Sequence, residues 1–164
     1  MNGLNCKPVT ICCALTLSLI WVSTSPPEVI EARDAPAAKL ANIVSVNATG
    51  TLGAYTLSVG IQSPDLGCQQ YADWWEVLGE EGALIYRRIL THSHVDEQPF
   101  VRSGGPVPIP PDQVIWVRAH MHPGGYGGTA FKGSVQTGFV KAELSPQFAA
   151  DLAKSPPLPQ SCTF

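Results

Sequence analysis

Between Asn42 and Phe139 the chain falls into short runs of β-branched and aromatic residues, each cut off by glycine, proline or a polar cluster. In "AYTLSVGIQS" the apolar residues Tyr55, Leu57, Val59 and Ile61 alternate with small or polar ones, the period of a half-buried strand. "NIVSVNA" precedes it. "YADWWEVL" and "ALIYRRILTH" follow, joined by "GEEG", a glycine-bounded hairpin turn. "GGPVPIPPD" holds too many prolines for a central strand and suits an edge or a crossing loop. "QVIWVRAHMH" is the most strand-like run, and "TAFKGSVQTGF" supplies a last strand after a glycine loop. Six or seven short strands with such punctuation predict an all-β sandwich or barrel. The tail "LSPQFAADLAKS" reads differently. Ser145 as N-cap, Pro146 at the first helical position and Phe148 four residues before Leu152 predict a short C-terminal helix.

Residues 1–25 read as a signal peptide: Lys7 is the sole charge before an apolar run from Pro8 to Val22, shorter than the roughly 20 residues of a spanning helix. Retention as a membrane anchor is the alternative. Residues 26–40, rich in proline and alanine, form a linker, and residues 41–164 the β-sandwich domain with its helix and tail. Removal of the signal takes Cys6, Cys12 and Cys13 with it and leaves Cys68 and Cys162. In an oxidising secreted or periplasmic setting these two make one disulfide; two separate thiols are the other reading. The net charge of −3 and the absence of any Lys/Arg cluster exclude a nucleic-acid footprint. After signal cleavage no transmembrane span is expected.

At "VIWVRAHMHPGGYGG", approached through "IPPDQVIWVRA", the chain resembles the strand F, loop and strand G region of fibronectin type III and related immunoglobulin-like domains. The resemblance implies an immunoglobulin/fibronectin III-like antiparallel β-sandwich, an architecture that hosts many functions. A longer stretch, "GCQQYADWWEV" through "YRRILTHSHVDEQPF", "SGGPV" and "VRAHMHPGGYGG", is similar to a group of uncharacterised bacterial exported proteins. It implies a bacterial origin and a shared exported domain.

The four histidines form two His-x-His doublets, His92/His94 and His120/His122. Residues i and i+2 of a strand share a face, so each doublet presents two imidazoles together. Imidazole suits zinc or copper. If "YADWWEVL" lies between "ALIYRRILTHSH" and "QVIWVRAHMH", both doublets end at the same edge of the sheet, one strand apart. Asp73 and Glu97 are weaker ligand candidates, and Met121 faces away from its flanking histidines. Each histidine also has a plainer reading as a polar strand end. Asp73 is expected opposite Arg88, or Arg87 one register away, as a cross-strand ion pair. Trp74, Trp75 and Trp116 read as core or sheet-covering aromatics, with an aromatic platform for a sugar or peptide as the alternative. No nucleophile elbow or phosphate motif is present. The sequence therefore points first to an exported, non-enzymatic binding or structural module whose partner is an exported protein or a glycan. The alternative is a copper- or zinc-binding protein, or a small metalloenzyme, built on the two doublets.

Overall fold

A computed structural model describes residues 39–164; the signal peptide expected over 1–25 and all but the end of the linker lie outside the described residues. The chain divides into Met1–Asp34 and Ala35–Phe164. In the second unit the strands run β1 (Asn42–Thr51), β2 (Ala54–Gln62), β3 (Tyr71–Gly79), β4 (Leu84–Ile89), β5 (Phe100–Val107), β6 (Ile115–His122), β7 (Ala130–Ser134) and β8 (Gly138–Ala142). They form two antiparallel sheets, β1-β2-β5 and β4-β3-β6-β7-β8. The protein is an all-β sandwich.

The alternation in β2 is what closes it. Tyr55, Leu57, Val59 and Ile61 are all buried and join Ile43, Phe100, Trp75, Val77, Val117 and Met121 in one core between the sheets. Met121 is fully buried while His122 is exposed, so the two histidines of β6 lie on the face opposite Met121. The proline-rich run forms part of β5, at the edge of the smaller sheet, where Pro106 interrupts no central ladder. Gly104 in β5 permits the sheets to meet closely: a Cβ there would sit 2.9 Å from the Trp75 ring and 2.6 Å from the Tyr86 hydroxyl oxygen.

Three expectations need correction. "TAFKGSVQTGF" is not one strand but the β7–β8 hairpin, whose turn is fastened by the Ser134 hydroxyl accepting from the Thr137 amide at 3.1 Å. The Asp73–Arg88 pairing fails because the turn at Gly79–Gly82 and a bulge at Val77/Leu78 place Arg88 opposite Trp75, and Arg87 opposite Glu76. The C-terminal helix shrinks to a 3₁₀ turn at Ala150–Lys154. Ala149 takes a left-handed conformation (φ 45°), and the carbonyls of Ala149 and Leu152 close 3₁₀ turns with the amides of Leu152 and Ser155 while also accepting from arginine side chains of the sheet.

Candidate functional site: a cleft roofed by the C-terminal strap

β3 is buried along both faces, which a half-solvated sandwich strand would not be. A bulge between Ala72 and Trp74 resets its alternation, so Trp75 and Val77 enter the core while Trp74 and Glu76 face outward. That outer face is covered by the C-terminal segment. Glu76, fully buried, is the centre of its attachment. Its Oε2 accepts from Arg87 Nε at 2.7 Å and its Oε1 from Arg118 Nε at 2.8 Å. Both guanidiniums then donate to the strap. Arg87 reaches the carbonyls of Leu152 (2.8 Å), Ser155 (2.7 Å) and Pro157 (2.9 Å); Arg118 reaches those of Phe148 and Ala149 (3.0 Å). A buried carboxylate shared by two planar forks satisfies nearly every donor, which is what such burial requires. Beyond this clamp the strap is fastened again. Cys162 is disulfide-bonded to Cys68, with Cα atoms 5.6 Å apart, and the Thr163 amide donates to Thr91 O at 2.9 Å.

Between clamp and disulfide, Leu158 to Ser161 arch over β3 and β6 and leave an open cleft of about 440 Å³. Its floor holds Asp73, Trp74, His120 and His122. His120 Nδ1 lies 2.7 Å from Asp73 Oδ1, a pairing in which Nδ1 carries the proton and donates it to the carboxylate. The His120 ring stacks on Trp74 (3.8 Å between centroids, 6° between planes) and meets the edge of Tyr126 at 4.8 Å. The glycine loop accounts for Tyr126. Gly125 and Gly127 adopt positive φ (81° and 128°), and the loop folds the phenol back over the Arg118 guanidinium at 3.5 Å. Burial, reinforced by the Glu76 charge, pushes the Tyr126 phenol up to about 12. Trp74 carries His120 on the sheet and the Arg87 guanidinium 4.6 Å from its ring. At 2% exposed it offers no free platform for a sugar.

The other doublet sits differently. β4 ends at Ile89, so His92 and His94 lie in the following loop. His92 is exposed. His94 is 3% exposed, stacks on Phe100 at 3.7 Å, and neither of its nitrogens has a hydrogen-bond partner. Asp65, whose Oδ2 is 3.9 Å from His94 Nδ1, is already satisfied by Ser63 Oγ (2.6 Å) and the amides of Ala72 (3.0 Å) and His94 (2.8 Å). Burial, then the charges of Arg102 and His92, lower the His94 imidazole from 6.5 to about 4; Asp65 and Glu97 oppose them more weakly. A depressed pKa means that the unfolded chain binds the proton more readily. The neutral ring's contribution is therefore whole above pH 6.5 and is lost as pH falls toward 4. The loss amounts to about 3 kcal/mol at 1.36 kcal/mol per unit. Urea unfolding at pH 7.5 and pH 4.5 checks it: His94→Leu should match wild type within about 1 kcal/mol at the higher pH, having no hydrogen bond to lose. At the lower pH the variant should be the more stable, and an equal acid loss in both proteins would refute the assignment.

The structure thus brings Asp73 beside His120 and sets Glu97 on the surface, where its carboxyl, accepting from Arg102 at 2.8 Å, is held below its usual range. Among the described residues no group of three or more His, Cys, Asp or Glu is arranged to hold a metal ion. Glu76, Arg87 and Arg118 escaped notice in the sequence as a unit, although a charge inside each of three apolar strands was the available signal. Among the described residues no helix is long and apolar enough to cross a membrane. No family model matches the chain, and no solved structure does. A protein of Halomicrobium mukohataei named "Putative lipoprotein" is 36% identical over 104 residues, which cover 62% of this chain. The match takes in 51% of that protein, so the chain spans about half the length of the relative to which it is similar.

Proposed function

We propose that this is an exported, cell-envelope binding module without a catalytic step, and that its ligand enters the cleft beneath the C-terminal strap. One observation carries the reading: the strap is held by a buried carboxylate, two arginines and a disulfide, yet leaves an open space over Asp73 and His120. A strap serving stability alone has no need of such a gap. The name of the similar lipoprotein supports export. The strand orders β1-β2-β5 and β4-β3-β6-β7-β8 support kinship with immunoglobulin-like sandwiches, in which strands A, B and E face C′, C, F and G, with β8 as an additional edge strand beside β7.

The test is a set of NMR titrations with three probes: zinc sulfate, a chitooligosaccharide and a mixed pentapeptide library. Saturable shifts should gather on Tyr71, His120, His122 and Gln160. Saturable shifts confined to the β1-β2-β5 sheet, or none with any probe, would overturn the reading.

A further inference from the structure

We infer that the ligand of this cleft is a divalent transition-metal ion, held by His120 Nε2 and His122, with Asp73 acting from behind His120 rather than as a ligand. The inference rests on the reading of the cleft as the binding site. It starts from what the cleft offers. Its lining contains one carboxylate and two imidazoles and neither lysine nor arginine. Lone pairs without a cationic side chain select a cation over an anion, and imidazole selects zinc, copper or nickel over calcium or magnesium.

His120 is prepared for the task. Its Nδ1 is engaged by Asp73 at 2.7 Å, which fixes the tautomer and leaves the Nε2 lone pair as the free valence. A carboxylate behind an imidazole is the arrangement that orients metal-bound histidines and raises their basicity. The stack on Trp74 at 3.8 Å and the edge of Tyr126 at 4.8 Å hold the ring plane, so little rotamer freedom is left to lose on binding. His122 shares the outer face of β6 two residues on and is exposed. Its ring lies 5.8 Å from that of Tyr71 at the cleft wall, and coordination beside His120 requires it to turn about its own side-chain bonds. The His92/His94 pair supplies no equivalent, because His94 is buried against Phe100 with both nitrogens enclosed. Two protein ligands are fewer than the three of an open catalytic zinc site or the four of a structural one, so water or a group carried by the ion must complete the shell.

Isothermal titration of the exported protein, recovered after signal removal and without a histidine tag, with copper sulfate and zinc sulfate tests this, since Cys6, Cys12 and Cys13 would otherwise bind either metal. One ion per chain is expected, with imidazole nitrogen coupling in the copper EPR spectrum. Asp73→Asn should weaken binding by about 10- to 100-fold. Because Asp73 and His120 are buried, His122→Ala is the decisive variant: it is exposed and should lose at least about tenfold, as removal of one of two protein ligands predicts. His92→Ala should bind as wild type. Copper affinity unchanged in His122→Ala, or lost in His92→Ala instead, would overturn the inference. Metal failing to bind while a saccharide or peptide still shifts Tyr71 and His122 would overturn it too, yet leave the cleft reading standing.

Discussion

Replacing Glu76 with leucine is expected to destabilise the protein by about 3–5 kcal/mol, the range for removing one partner from a buried charge network. Leucine is close to glutamate in volume, so the loss does not come from a cavity. It comes from Arg87 and Arg118, which are 7% and 3% exposed and would be left with carbonyl partners only. The carbonyls carry partial charge and cannot neutralise two guanidiniums. The midpoint of urea unfolding should fall with little change in slope, provided that the transition remains two-state. A variant with Glu76→Leu, Arg87→Met and Arg118→Met separates charge from geometry. Removing all three charges should restore part of the loss, because apolar replacement of a whole buried network is often nearly neutral. Restoration should stay incomplete, since five carbonyls of the strap lose their arginine donors, and only those of Ala149 and Leu152 keep an amide partner from a 3₁₀ turn. A loss below about 1 kcal/mol for Glu76→Leu, the scale of an exposed pair, would show that this network does not anchor the strap.

The same network marks where sequence reasoning stops. Tyr55, Leu57, Val59 and Ile61 announced β2 because burial of one face writes a period of two directly into the residues. The β3–β4 hairpin was also legible from its glycine-bounded turn, whereas the pairing of β3 with β6, which the sheet adopts, was only a supposition from the sequence. The site was not legible. Asp73 and His120 are 47 residues apart, and their meeting depends on the bulge that turns Trp74 and Glu76 outward. A bulge moves every side chain beyond it to the other face and has no reliable signature in a single sequence. The tail misled for a related reason. Its local pattern favours a helix, but side chains from β4 and β6 claim its carbonyls, and local propensity says nothing of partners so distant. Only Cys162 hinted that the tail returns to Cys68. The histidine pattern placed four equivalent imidazoles at one sheet edge; burial divides them into one enclosed ring, His94, one oriented ring, His120, and two exposed ones.

Removing the Cys68–Cys162 bond should lower global stability by roughly 4–5 kcal/mol, the chain-entropy value for a long closed loop. The residues lie 94 apart in sequence. The effect arises in the unfolded chain, which regains the freedom the cross-link denied it, and so a Cys68→Ser/Cys162→Ser double variant should show it without any loss of core packing. Locally the consequence differs along the strap. The clamp on Phe148 to Pro157 does not depend on the disulfide, because its donors are Arg87 and Arg118. The segment from Leu158 onward has the disulfide and the Thr163 amide bond to Thr91 as its fastenings. Hydrogen exchange in the double variant should therefore raise the rate at Thr163, while the amides of Leu152 and Ser155, bonded to Ala149 O and Leu152 O at 3.2 and 3.1 Å, keep their relative protection. Equal loss of protection at all three would mean that the clamp forms only when the tail end is tied. Selective loss at Thr163 would instead make the disulfide the latch of the cleft roof, and a ligand seated over His120 should then dissociate faster from the reduced protein than from the oxidised one.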